Sequence, residues 1–368
     1  MTALTSPARL SDLDGLRGWL SLWVVNAHVV QFALLRETYP GSRLAGLLGN
    51  GELAVAVFVI LSGFVIGRQL RVAPEPYAIF ILRRFLRLYP AFLLCFAAGL
   101  LLYTALPLFA AHKADMAEHV LLHLSLMHGL VPDSWLPGSS TAFLAPGWSV
   151  SVEWQFYLLA PLIAAGLALP RLRWLVLGGC GLLVLAMGQV PLAWAKPSFL
   201  LLCLHLFLLG MLTDRWLAAI AAGRLPGDGP VRLALAVAIA AALALLNLPV
   251  AAWLLVALML MPGSERLPVL GRLWAVSMTG PLAQYLGRIS YSLYLVHYLV
   301  LEAVAWGAGA WSGLRGPAVL PLLYLGVLLS LGLADLMVRT VEQPGIRMGR
   351  RLARALLPGT RAGSGALS

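Results

Sequence analysis

The sequence predicts an all-α polytopic membrane protein: about ten transmembrane helices, both termini cytoplasmic, and a short amphipathic C-terminal segment. Three observations predict this class. Of 368 residues, 61% are hydrophobic and 11% charged, against ~45–50% and ~25% in a soluble globular chain. Apolar runs of about 20 residues, each able to cross a ~30 Å hydrocarbon core, recur from end to end. The basic residues, 24 of 26 of them arginine, sort to one side of those runs. Together these exclude an ordinary soluble domain. They also exclude reading the +11 net charge as a nucleic-acid-binding surface, because topology accounts for most of it.

The first span, 17–35, follows Asp12, Asp14 and Arg17, which interrupt any early apolar region. No cleavable signal peptide is visible, so this span is itself the insertion signal. Spans at 52–68 and 88–110 are joined by the basic stretch ILRRFLRLYP (81–90). The fourth, 148–168, opens on Ala145-Pro146-Gly147, and 173–193 and 198–213 follow. Asn247, Leu248 and Pro249 divide 231–247 from 249–262. A kink there would merge the two and place Arg347, Arg350, Arg351 and Arg354 outside, against the positive-inside bias. Spans at 286–308 and 317–338 complete the set. With the N-terminus inside, 21 basic residues are cytoplasmic, and Arg36, Arg43, Lys113, Lys196 and Arg315 are outside. Residues 1–345 then form one membrane domain. In the tail, 346–368, Arg347 to Leu357 alternates basic and apolar residues as an interfacial helix, and 359–368 is expected to be disordered. Cys95, Cys180 and Cys203 lie within spans and show no metal or disulfide spacing.

Ionisable groups inside spans are costly and mark candidate functional positions. They are His28, Glu153, His205, His297 and Glu302, with Arg17 and Asp335 near the ends. Arg17 and His28 are eleven residues apart, so they share one helical face about 16 Å apart along the axis. A mid-membrane imidazole is a natural base near neutral pH; packing glue between helices is the alternative. Ser149, Glu153 and Tyr157 recur every four residues as a polar stripe. If the helices adjoin, Glu153 is expected beside His28, orienting its ring as the carboxylate of a triad does. Arg84 and Arg87 sit one turn apart beside Arg83, an arrangement suited to phosphate or to topology alone. Tyr291, Tyr294 and His297 lie in the ninth span, with His297 close to the depth of His28.

These segments together resemble the acyltransferase-3 family of integral membrane O-acyltransferases across nearly the whole chain. The family's first-span pattern, a basic residue and a histidine with ten residues between, is matched by Arg17 and His28. FVILSGFVI (58–66), RRFLRLYP (83–90), WSVSVEWQFYLLAPL (148–162), ISYSLYLVH (289–297) and RTVEQP (339–344) resemble five further family motifs in order. The resemblance implies transfer of an acyl group, usually acetyl from cytoplasmic acetyl-CoA. The acceptor would be a hydroxyl of an extracytoplasmic or membrane-bound glycan, glycolipid or metabolite. It also implies a multi-pass protein of the plasma membrane, the bacterial inner membrane, with no metal. Carried over, His28 is the catalytic histidine and Glu153 a supporting acid. Arg17, Arg84 and Arg87 are likewise carried over as donor-site residues. From their place in the spans, Tyr291 and Tyr294 are further expected at the donor, and Trp148, Tyr157 and His297 at the acceptor. Trp154 departs from the family, which commonly has a second acidic residue there. No hydrolase-like extracytoplasmic domain is appended.

Two chemical routes remain open: direct attack of an acceptor hydroxyl deprotonated by His28, or an acyl-histidine intermediate. The long outer loop, 111–147, holds His112, His119, His123 and His128. His119 and His123 have zinc-compatible spacing but lack a third ligand in register. HVLLHLSLMHGL is therefore expected to be an interfacial cover over the site, with Trp135 and Trp148 as anchors or sugar platforms. The rival class is a proton-coupled transporter that uses His28, Glu153 and His297 as a relay.

Overall fold

A computed structural model describes residues 7–105, 115–227, 229–264, 267 and 269–356. Lys113, His112, the end of the third expected span and the last twelve residues lie outside the described residues. Among the described residues every regular element is helical. The chain runs through α1 (Pro7–Phe32), the short α2 (Leu35–Thr38) and α3 (Arg43–Leu48), α4 (Gly51–Val72), α5 (Tyr77–Ala105) and α6 (Met116–Leu124). It continues through α7 (Gly147–Ala168), α8 (Arg173–Met187), α9 (Leu200–Ala221), α10 (Gly229–Ala244) and α11 (Leu248–Leu260). The last elements are α12 (Leu270–Thr279), α13 (Pro281–Ser312), α14 (Leu320–Met337), a π-helical turn (Val338–Glu342) and α15 (Gln343–Leu356).

Each of the ten expected spans falls on a helix, but among the described residues six stretches rather than ten are long and apolar enough to cross a membrane. These are Arg43–Val72, Tyr77–Ala105, Gly147–Ala168, Leu200–Ala221, Pro281–Ser312 and Gly316–Leu356. Helices α8, α10 and α11 have 15, 16 and 13 residues. At 1.5 Å per residue they reach about 20–24 Å, short of a full hydrocarbon core. α1 has the length, with 26 residues, but Asp12, Asp14, Arg17, Asn26 and His28 dilute its apolar character. Asn247 Oδ1 caps α11 by accepting from the Val250 amide at 3.4 Å. α10 and α11 pack against each other, so the segment folds back on itself instead of continuing as one kinked helix.

Two close crossings organise the centre. α1 lies along α13, and α4 lies along α9. A Cβ on Gly287 would stand 2.2 Å from the Asp14 carbonyl oxygen, and one on Gly18 would stand 2.7 Å from the Gly287 nitrogen. Glycine is what allows these backbones to meet, as small residues do in membrane helix pairs. Gly63 and Gly210 do the same for α4 and α9. Beyond the π turn, α15 sets Gly345, Gly349 and Ala353 against α5 and leaves Arg347, Arg350, Arg351 and Arg354 exposed. The basic tail helix thus packs onto the segment that carries Arg83 to Arg87.

Candidate active site

Two cavities meet inside the helix assembly. The smaller, about 100 Å³, is lined by Arg17, Ser62, Arg87, Glu153, Tyr291 and Tyr294, among others. The larger, about 680 Å³, is lined by His28, Glu52, Trp148, Lys196, Tyr298 and Glu302, among others. Val55 of α4 and Tyr294 of α13 line both, so the two cavities adjoin at these side chains.

The α1–α13 crossing sets His28 Nδ1 2.9 Å from His297 Nε2, across 269 positions of sequence. His297 Nδ1 lies 2.9 Å from the Leu293 carbonyl oxygen. A carbonyl only accepts, so His297 carries its proton on Nδ1 and offers Nε2 as an acceptor. Neutral His28 must then donate from Nδ1, which leaves its Nε2 with the lone pair. Tyr298 closes one side of the ring in an edge-on contact, with centroids 5.0 Å apart. The result is a histidine of defined tautomer in the wall of the larger cavity.

Glu153 does not join this pair. Ser62 Oγ donates to its Oε1 at 3.0 Å, and the Tyr157 hydroxyl donates to the same oxygen. Its carboxylate faces the smaller cavity with Arg17 and Arg87. The expected Glu153–His28 contact is thus replaced by the His297–His28 contact. Similar depth allowed either pairing, but rotation about the helix axes directs Glu153 to the other cavity. Arg87 has Glu153 and Glu342 within electrostatic range. Glu342, in the π turn, accepts a hydrogen bond from Ser292 Oγ at 2.8 Å. Arg84 is buried between the rings of Phe80 and Tyr157, 5.5 Å from each centroid, and does not line the cavity. Arg83 is held by Glu75 at 2.7 Å. Tyr291 donates to the Leu88 carbonyl at 2.8 Å, and Tyr294 accepts from Ser149 Oγ at 2.8 Å. Trp154 packs on Phe85. His205 is exposed on α9, away from both cavities.

Ser62, Tyr298 and Glu342 were not singled out from the sequence. Ser62 and Glu342 lie within the quoted stretches FVILSGFVI and RTVEQP. A hydroxyl and a carboxylate inside otherwise apolar motifs were the available signal.

In the outer loop the histidines turn inward, while Leu121, Leu124 and Leu130 stay exposed. His119, His123 and His128 are fully buried. The rings of His123 and His128 stack in parallel at 4.1 Å, flanked by Phe96 and Phe92. His128 Nε2 donates to the Gly147 carbonyl at 3.1 Å, tying the loop to the start of α7. Trp135 is 71% exposed, whereas Trp148 is buried in the cavity wall. Burial pushes His123 down to about 4 and holds His128 well below the usual histidine range. Both folded-state values lie below the unfolded one, so the unfolded chain binds more protons as pH falls from about 6.5 towards 4. The stability from this stack is fully present above about pH 6.5 and is lost through that window. Thermal unfolding in detergent should show a falling Tm from pH 7 to 4. His123→Phe, which preserves the stack, should flatten that dependence; an unchanged slope contradicts the assignment.

Comparison with known proteins agrees with this architecture. The family model described as an acyltransferase domain, acyltransferase-3, matches residues 10–339. The acyltransferase MdmB of Streptomyces mycarofaciens is 34% identical over 181 residues, 46% of this chain and 44% of that protein. The putative membrane-bound transacylase BcsY of Komagataeibacter xylinus is 34% identical over 178 residues, 46% of this chain and 41% of that protein. A regulator of hypoxia-inducible factor 1 from Caenorhabditis elegans is 31% identical over 123 residues, 32% of this chain and 24% of that protein. The chain thus spans less than half the length of each of these relatives. No solved structure matches it. With the family model extending over nearly all of the chain, this is a member of the acyltransferase-3 family.

Proposed function

We propose that the chain transfers an acyl group, acetyl in the first instance, from cytoplasmic acyl-CoA to a hydroxyl of an extracytoplasmic or membrane-bound glycan, glycolipid or metabolite. The observation that carries this reading is the pair of cavities meeting at Tyr294 and Val55, one lined by Arg17 and Arg87 and the other by His28, whose ring is held from behind by His297. The smaller cavity has room for the acyl end of a pantetheine arm, with Arg17 and Arg87 as its cations. The acceptor occupies the larger one.

His28 Nε2 takes the proton of the acceptor hydroxyl as its oxygen attacks the thioester carbonyl carbon. A C–O bond forms, the C–S bond breaks, and the proton passes from His28 to the departing sulfur. The products are an ester and free thiol. His297 accepts the Nδ1 hydrogen bond throughout, holding the tautomer and stabilising the transient imidazolium. Glu153, bound to Ser62 and Tyr157, sets the local charge around Arg17 and Arg87 and takes no proton from the acceptor.

Donor binding is tested by thermal unfolding of the purified protein in detergent. A ligand at 100 times its Kd adds about 2.7 kcal/mol, so acetyl-CoA should raise Tm by several degrees. Arg87→Ala should remove most of that rise without lowering the ligand-free Tm by a comparable amount. No shift in the wild-type protein contradicts a CoA donor.

A further inference from the structure

The larger cavity contains a carboxylate for which the reaction above has no use. Glu302 lies on α13 five residues beyond His297, one and a half turns and about 7–8 Å further along the axis. Its Oε2 is buried and has no hydrogen-bond partner. Tyr103 of α5 and Tyr298 are its electrostatic neighbours. The two basic side chains that line the same cavity are engaged elsewhere: Lys196 with Glu52 at 2.9 Å, and Arg36 with the Gly46 carbonyl at 3.0 Å. A buried carboxylate oxygen without a donor is unfavourable, and in native structures such a group calls for an explanation.

The rest of the wall says what would supply the donor. Trp148, Tyr103 and Tyr298 bring aromatic rings to it, and Asn50 and Gln31 bring carboxamides. A cavity of about 680 Å³ is within the usual range for small-molecule sites, ~300–1,000 Å³. Aromatic rings together with carboxylate and carboxamide groups suit a polyhydroxylated ring, whose C–H faces pack on aromatic side chains while its hydroxyls donate. We propose that Glu302 is an acceptor-binding residue. It receives a hydrogen bond from a second hydroxyl of a sugar whose first hydroxyl is presented to His28. Glu302 thereby selects which hydroxyl is acylated and makes the acceptor a sugar or a sugar-bearing molecule. This rests on the acyl-transfer reading above.

The test uses the full-length protein in detergent with labelled acetyl-CoA. Detergent-solubilised membranes from a strain lacking the protein, supplied as a dilution series, provide the acceptor. Glu302→Ala should raise the half-saturating acceptor amount about tenfold or more, the range for a hydrogen bond to a charged group. Its half-saturating acetyl-CoA should stay within twofold, as should its acetyl-CoA-induced rise in Tm, which also reports folding. Glu302→Gln, which still accepts from a hydroxyl, should recover most of the loss. Recovery by glutamine supports a hydroxyl. A glutamine variant as poor as alanine overturns the hydroxyl assignment in favour of a cationic partner. An unchanged acceptor dependence in Glu302→Ala, or an equal shift for both substrates, overturns the proposal. If the wild-type protein yields no labelled product at all, the acyl-transfer reading fails first and takes this inference with it.

Discussion

His28→Ala should lower acyl transfer by about 10³-fold or more while leaving donor binding intact. General-base catalysis is worth about 10²–10⁴-fold, and the ring groups nearest His28 do not replace it. His297 is fully buried behind His28 and does not line the larger cavity, so its Nε2, although freed by the substitution, does not face the acceptor. Tyr298 and Tyr294 present phenols, which are poor bases near neutral pH. Because the missing group acts in the transition state, the loss should appear in kcat, with the half-saturating acetyl-CoA concentration little changed. A rate-quench experiment with donor alone separates the two chemical routes. Direct transfer predicts no acylated protein during normal turnover. Accumulation of an acyl-histidine on the wild-type protein would replace direct attack with the two-step route.

The second large effect is expected at His297, which never meets the acceptor but fixes the ring that does. His297→Ala removes the acceptor for the His28 Nδ1 proton and frees the imidazole to adopt the other tautomer. The expected cost is about 10²-fold in kcat, toward the lower end for loss of an acid–base function. His297→Gln provides a carbonyl oxygen at a similar reach and should restore part of the rate. A purely structural role predicts something different: equal losses for both variants, with lowered thermal stability and a weakened acetyl-CoA shift. Kinetics of the two variants alongside Tm with and without donor distinguish these outcomes.

How far the site could be read from sequence depends on which interaction placed each residue. Arg17, His28 and Glu153 stood out because an ionisable group in an apolar run has few neighbours to hide it. The helical period alone put Arg17 and His28 on one face. Partnership across helices was not readable in that way. His28 meets His297 because Gly18 and Gly287 let α1 and α13 touch, and nothing local to either histidine encodes that crossing. Depth along the membrane, the only coordinate available from span boundaries, suited Glu153 and His297 equally well. Rotation about the axes decided between them.

The same limit applies to Arg84 and Arg87, three residues apart in sequence. One is wedged between Phe80 and Tyr157, and the other opens on a cavity. The fold class followed directly from composition, but span lengths did not. In α8 and α10 apolar residues continue beyond the last helical turn, so hydropathy overstates how far those two helices reach. In the outer loop, His119 and His123 had a spacing shared by metal ligands and surface helices. In the structure His123 stacks on Phe96 and meets Phe143 edge-on, contacts that the spacing alone does not encode.

The central claim is that the two cavities join a CoA-borne acyl group to a hydroxyl through His28. Its most direct test is incubation of membranes containing the protein with acetyl-CoA labelled in the acetyl group, followed by recovery of labelled product. The account predicts a labelled product whose label is released by mild base, as an ester requires, and which is absent when His28→Ala membranes are used at equal protein level. Label transfer that persists undiminished in His28→Ala, or no transfer from acetyl-CoA by the wild-type protein, would contradict it.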